Sequence, residues 1–281
     1  MAPTPERRRR TLQGWLLAGP YLLFALIFFL IPAIWSIILV FQNWNLIAPV
    51  RQPVGLANVR EALTSPRIWN AALVSYRFML IIVPTVMLLS ILLALLVHNL
   101  PRFKALFAVG FFLPYLASGV AVSVVVRGVL SFNSPINVFL RNTLGTSPNW
   151  LGTPWLATAV ISAMIIWKFA GYYALIFLAV LQGIPNEIYE AAALDGSTGW
   201  TTFWRVTLPL LYPGIYTVLI LSTGIMFSIF TEPFVLTQGG PQMATQTWQL
   251  EIYFQAFERF RAGYGATVAL LNALVTFATI L

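Results

Sequence analysis

The chain is built from long apolar runs. Residues of about 15–41, 70–97, 106–130, 155–182, 214–236 and 264–281 are dominated by Leu, Ile, Val, Phe and Ala. Each is close to or beyond the roughly 20 residues a helix needs to cross a ~30 Å hydrocarbon layer. Lipid offers no partner to backbone N–H and C=O groups, so only helices and closed barrels span a membrane. The runs are continuous rather than alternating, which predicts helices. The expected fold class is therefore all-α, a polytopic membrane protein of six transmembrane helices. Composition agrees: 59% of residues are hydrophobic and 9% charged, against roughly 25% charged in a soluble domain. Pro32, Pro84 and Pro114 fall inside spans and are expected to kink them.

The net charge of +8 is concentrated at the start, where Arg7, Arg8, Arg9 and Arg10 precede the first run. Basic residues beside a first span act as an orientation signal. Residues 1–14 are therefore expected to be a basic cytoplasmic N-terminus, ahead of a membrane domain over 15–281. The same placement argues against nucleic acid as a partner. The first run is also much longer than the ~7–15-residue core of a cleaved signal sequence, so it is expected to remain as a span.

Several chemistries are absent from the sequence. It has no cysteine and one histidine, His98, with no acidic residue at helical spacing from it, so no metal site is expected. No Gly-rich loop ending in Gly-Lys-Ser/Thr is present, so the chain is not expected to bind ATP itself. Nor do the apolar segments carry a nucleophile–base pair or paired carboxylates. The expected protein is not an enzyme.

One mixed-polarity stretch stands out, the connection 183–213. Asn186 is expected to cap a helix whose first turns carry Glu187 and Glu190, where carboxylates complement the helix dipole. Ala191, Ala192 and Ala193 then form a small-residue face, and Gly196 supplies a left-handed terminator. Ser197 or Thr198 is expected to cap a second short helix over 199–206, with Pro209 disrupting the pattern before the fifth span.

This unit resembles the coupling motif of bacterial ABC-importer permeases: Glu190-Ala191-Ala192, then Gly196, then Val206-Thr207-Leu208-Pro209. Two further stretches strengthen the resemblance. Phe234-Val235-Leu236-Thr237-Gln238-Gly239-Gly240-Pro241 is similar to the external loop of sugar-importer permeases, and Tyr253-Phe254-Gln255-Ala256-Phe257 with Tyr264-Gly265-Ala266-Thr267 is similar to their last span's entry. The branch resembled is the maltose-type permease, in a compact six-span form. The resemblance implies the type I importer permease fold in a bacterial cytoplasmic (inner) membrane, with the N-terminus and the 183–213 coupling-helix loop cytoplasmic. It also implies the partners: a second homologous permease, a dimer of ATPases carrying ATP and Mg, an extracytoplasmic substrate-binding protein, a carbohydrate substrate, and surrounding lipid. Coupling would fall to Glu187, Glu190, Ala191, Ala192, Asp195, Gly196, Leu208 and Pro209.

Ionisable residues within spans are costly and mark function or packing. They are Arg77, Arg127, Lys168 and Glu232. Arg127 is expected to reach toward the external surface, and Arg77 and Glu232 to pair with each other. Lys168, Tyr172, Ser228 and Asn272 are the expected substrate-pathway residues, since sugars need both hydroxyl partners and an aromatic face. The spans carry three cations against one carboxylate, which disfavours a polyamine substrate. A polyol or a glycerol phosphate in the same architecture remains an alternative. A gradient-driven carrier using Arg77, Lys168 and Glu232 is a further one, but such a carrier would not need the 183–213 loop.

Overall fold

The computed structural model describes residues 5–47 and 51–281, with side chains from Gln13 onward in those ranges. The basic cluster Arg7–Arg10 is described in backbone only, and residues 1–4 lie outside the described residues. In chain order the helices begin with α1 (Pro5–Ala25), a five-residue π turn (Leu26–Leu30) and α2 (Ile31–Val40), which together make one long apolar helix. Strands β1 (Gln42–Asn43) and β2 (Gln52–Pro53) and helix α3 (Ala57–Thr64) follow. Next come α4 (Pro66–His98), α5 (Lys104–Leu116), α6 (Gly119–Val129), α7 (Pro135–Leu144) and α8 (Pro154–Gln182).

The second half holds α9 (Asn186–Leu194), α10 (Gly199–Thr202), a π turn (Phe203–Thr207) and α11 (Leu208–Leu210). Helices α12 (Tyr212–Met226), α13 (Thr231–Thr237), α14 (Trp248–Tyr253) and α15 (Ala262–Ile280) complete it. Among the described residues the fold is all-α apart from a two-residue antiparallel ladder, Gln42 opposite Pro53 and Asn43 opposite Gln52.

Among the described residues, four continuous helical stretches are long and apolar enough to cross a membrane: Gln13–Val40, Pro66–His98, Pro154–Gln182 and Ala262–Ile280. The third span, expected to kink at Pro114, is broken outright just beyond it, and the fifth departs from the expectation of an unbroken helix. Helices α5 and α6 meet at 85°, and the break falls at extended Ala117, three residues beyond Pro114. The expected fifth span, 214–236, is split: α12 stops at Met226 and α13 starts at Thr231. A 63° bend separates Gly199–Leu210 from Tyr212–Met226 on its other side. By contrast α4 runs as one helix through Pro84. Two other prolines, Pro32 and Pro209, are each preceded by a π turn. Such a widened turn accommodates the missing N–H and the ring's clash with the carbonyl four residues back.

Contacts group the chain into two compact units. The smaller comprises residues 1–65 and 252–271. Within it Asn58 Nδ2 donates to the Val40 and Gln42 carbonyls at 2.9 and 3.0 Å. Gly263 lies so close to the Gln42 carbonyl that a β-carbon would overlap it. Arg261 pairs with Glu61 at 2.6 Å and covers the Tyr264 ring at 4.2 Å. The hydrogen bond to Glu61 raises the Arg261 pKa, against a smaller lowering by burial. Arg51 sits over Trp35 and Trp44, 4.6 and 4.5 Å from their ring centres.

The larger unit, residues 66–251 and 272–281, is organised by α4 packed along α8. Phe78, Ile82 and Val86 meet Ile161, Ile165, Tyr173 and Phe177 in its core. In lipid, helix association rests on close packing and interhelical hydrogen bonds rather than on water exclusion. Both are present. Ser90 Oγ donates to the Ala170 carbonyl at 2.9 Å, joining α4 to α8. A β-carbon on Gly171 would overlap the Phe111 carbonyl, so glycine there lets α5 approach α8. Above α4, Glu251 is fully buried and takes both oxygens to Arg67 Nε at 2.9 Å, with Gln246 also donating to it.

Candidate functional site

The 183–213 stretch folds as two short helical pieces joined by a tight turn. Helix α9 begins at Asn186, but Pro185 holds the cap position and no side-chain cap bond forms. Asn186 is thus the first helical residue, not the expected cap, because the extended Pro185 already sets the entry of the chain. The other end matches its expected chemistry. Gly196 adopts φ +75°, its N–H donates to the Ala193 carbonyl at 3.0 Å, and Ser197 N–H reaches back to Ala192 at 2.9 Å. This is a Schellman termination, which satisfies carbonyls that a helix end otherwise leaves open.

The second piece runs past the expected 199–206: α10 ends at Thr202, the π turn occupies Phe203–Thr207, and α11 carries the helix on to Leu210. Pro209 lies inside α11 without breaking it, and the chain turns instead at Leu211. Thr202 Oγ1 donates to Ser197 Oγ at 2.9 Å and to the Thr198 carbonyl at 2.8 Å, which ties the turn to the second piece.

No residue of α9 is buried. Glu187, Glu190, Ala191, Asp195 and Gly196 are exposed, while Ala192 is partly covered. Leu194 is 90% exposed, an apolar side chain at the very tip of the loop. Glu187 and Glu190 favour the positive N-terminal end of α9, whereas Asp195 sits at its negative end, where a carboxylate costs about 0.3–1 kcal/mol. None of the three carboxylates has an ion-pair partner among the described residues. Leu208 is partly covered and Pro209 exposed. Behind the loop lies a cavity of about 500 Å³, lined by His98 at the end of α4 and Asn99 just after it, by Tyr189 of α9, and by Thr202, Phe203 and Thr207.

A second constellation lies where α8 meets the broken third span. Tyr115 of α5 stacks on Tyr172 of α8, ring centres 4.4 Å apart and planes 14° from parallel. Phe112 lies 6.5 Å from Tyr172, and Phe169 lies 5.6 Å from Tyr115. One turn away, Lys168 Nζ stands 3.6 Å from Glu232 Oε1. This corrects the expected Arg77–Glu232 pair. Arg77 lies on an exposed face of α4, and the break between α12 and α13 carries Glu232 to α8 instead. Arg127 reaches the Val235 carbonyl at 3.5 Å.

The other two expected pathway residues sit apart. Ser228 is exposed in the break after α12 and donates to the Gly224 carbonyl at 3.3 Å. Asn272 is buried and donates to the Phe227 carbonyl at 3.3 Å, satisfying backbone that the same break frees; its Oδ1 is buried without a partner. Among the described residues, no hydrogen bond, ion pair or ring contact joins Ser228 or Asn272 to Lys168 or Tyr172. Tyr115 and Phe112 were not anticipated from the sequence. Their spacing of three residues on one helical face, flanking Pro114 and just before the Ala117-Ser118-Gly119 break, was the available signal.

Apolar helices of membrane-spanning length, two of the spans broken, with an exposed loop helix between them define a multi-pass membrane protein. Residues 55–281 match the model of the binding-protein-dependent transport system inner membrane component, and the chain belongs to that family. Among its relatives, the lactose transport system permease protein LacF of Rhizobium radiobacter is 31% identical over 276 residues, 96% of this chain and 92% of that one. The multiple sugar-binding transport system permease protein MsmF of Streptococcus mutans is 30% identical, covering 93% and 90%. The fold is shared with a chain in the crystal structure of a bacterial alginate ABC transporter in complex with an alginate pentasaccharide-bound periplasmic protein. There the TM-score is 0.83 at 22% identity, covering 97% of this chain and 92% of that one.

Proposed function

We propose that this chain is one of two membrane-spanning permease subunits of an ATP-driven, binding-protein-dependent carbohydrate importer. The observation that carries the reading is the loop helix α9, which has no buried residue and ends in a left-handed glycine. A helix so uncovered needs a docking partner, and the family's transport role makes an ATPase subunit the fitting one. Asp195, placed at the unfavourable end of the helix dipole, favours a basic partner surface, as do Glu187 and Glu190. Leu194 at the tip supplies the apolar anchor.

In this reading α9 is a lever. Ala191 and Ala192 allow close backbone approach by the ATPase, the Schellman turn at Gly196 holds the angle to the second piece, and Leu208-Pro209 pass the movement toward the fifth span. The loop is then cytoplasmic, with the N-terminus on the same side. The ATP and Mg belong to the ATPase dimer, and this chain contributes no catalytic group.

The sugar assignment is supported by the relatives named for lactose and for multiple sugars, aligned over nearly their whole length. It is also supported by the Tyr115–Tyr172 platform, since aromatic faces cover the C–H face of a sugar ring. Lys168 beside it is engaged with Glu232, so a free cation for a phosphorylated substrate is lacking there. The test is ATP hydrolysis by the complete complex in nanodiscs, with its binding protein and a panel of oligosaccharides. Stimulation by a sugar-loaded binding protein, lost in Glu190→Ala, is the expected result. Transport by the purified chain without nucleotide would overturn the reading.

A further inference from the structure

Lys168 lies midway along α8, an unbroken helix, whereas its partner Glu232 lies in the first turn of α13, just after the break that ends α12. The two side chains are 17% and 9% exposed. Directly against the pair stands Gly119, the first residue of α6. A β-carbon there would fall 3.1 Å from Lys168 Nζ, 3.3 Å from Glu232 Oε1 and 3.3 Å from Thr231 Cγ2. Gly119 follows the 85° bend of the third span, so one ion pair gathers both helix breaks onto α8. The carboxylate also faces the N-terminal end of α6, whose dipole favours negative charge. Arg127 of α6 holds α13 a second time through the Val235 carbonyl.

We propose that Lys168, Glu232 and Gly119 form a latch that positions the broken third and fifth spans against the fourth and restrains their movement during transport. The proposal rests on the importer reading. Two charges at this depth do not separate gradually, because each unpaired charge would be left without solvent. The contact is therefore either made or replaced, the kind of two-state element that conformational switching needs. Helix breaks are the places where a span changes angle at low cost, since their backbone is already outside the helical ladder. The latch joins two of them. Gly119 permits it by leaving room for the ammonium group, which a larger residue would push aside.

The complete complex in nanodiscs decides the matter with Lys168→Met, Glu232→Gln, the exchange of both charges (Lys168→Glu with Glu232→Lys), and Gly119→Ala. Amide hydrogen exchange over residues 117–119 and 227–231 is expected to quicken several-fold in each single variant. It should return toward the wild-type rate when the charges are exchanged. ATP hydrolysis without binding protein should rise several-fold in the same singles and fall again in the exchanged pair. Gly119→Ala removes no charge, so it carries the test if loss of a charge prevents assembly. Unchanged exchange and unchanged basal hydrolysis in assembled single variants would overturn the latch. If instead no binding protein stimulates the wild-type complex, the importer reading fails, while the hydrogen-exchange comparison still decides whether the latch exists.

Discussion

Tyr172 lies flat against Tyr115 across the α5–α8 contact, 4.4 Å between ring centres, and the approach that allows it depends on Gly171 next door. With no side chain there, the Phe111 carbonyl rests on the α8 backbone. One glycine thus sets the distance between two helices and, through it, the geometry of an aromatic platform on the proposed substrate path.

Replacing Tyr172 by Ala removes the stack, worth roughly 0.5–1.5 kcal/mol for an aromatic pair. Sugar transported per ATP is expected to fall up to about tenfold, with stimulation of hydrolysis by the binding protein retained. Parallel measurement of uptake and phosphate release checks this. An equal fall in both would move Tyr172 from substrate handling to coupling.

Gly196→Ala forces a β-carbon into the left-handed region, at a cost of about 1–2 kcal/mol. The Schellman bonds to Ala192 and Ala193 are expected to weaken and the lever to lose its angle. Uptake should drop sharply while the complex still purifies with its ATPase. Gly196→Asn, which tolerates that conformation better, should recover part of the activity.

Glu190→Ala and Asp195→Asn remove exposed carboxylates without touching any buried contact. Membrane insertion and thermal stability of the chain should be unchanged, and surface substitutions of this kind usually stay within about 0.5 kcal/mol. Retention of the ATPase on the purified permease, followed across salt concentrations, should fall. Salt-insensitive retention in both variants would argue against the electrostatic docking assigned to this loop.

The cavity behind α9, about 500 Å³ in volume, leaves the lever loosely backed. Asn99→Trp, at its rim, is expected to fill part of it and restrict the lever. Slower amide exchange in residues 186–194 together with reduced uptake is the anticipated outcome. Faster exchange would mean that the substitution had displaced the loop instead.

In the smaller unit, Arg261 and Glu61 pair at 2.6 Å with side chains 42% and 49% exposed. A double-mutant cycle on thermal stability is expected to give a coupling of only ~0.2–1 kcal/mol. A much larger value would show that the pair is shielded in the assembled complex.

Much of this was readable before any coordinates. The long apolar runs are local properties of the chain, because each must bury its backbone polar groups within its own helix. The loop helix was readable for the same reason: Gly196 and Ser197 act on neighbours three and five positions away. The Asn186 cap was misread because Pro185 settles the helix start first, a competition between adjacent residues. The partner of Glu232 was beyond reach altogether. Arg77 and Lys168 were both cations in apolar spans, and composition does not say which face of which helix a carboxylate will meet.

By itself, then, the sequence determined that the chain crosses a membrane as helices and carries a mixed-polarity loop helix closed by a left-handed glycine. Hydrophobic length and turn chemistry act over a few residues and need no tertiary partner. The tertiary structure decided that the third and fifth spans break, that Glu232 meets Lys168 beside Gly119, and that Tyr115 covers Tyr172. Those outcomes depend on the rotation and approach of helices far apart in the chain, which only packing sets.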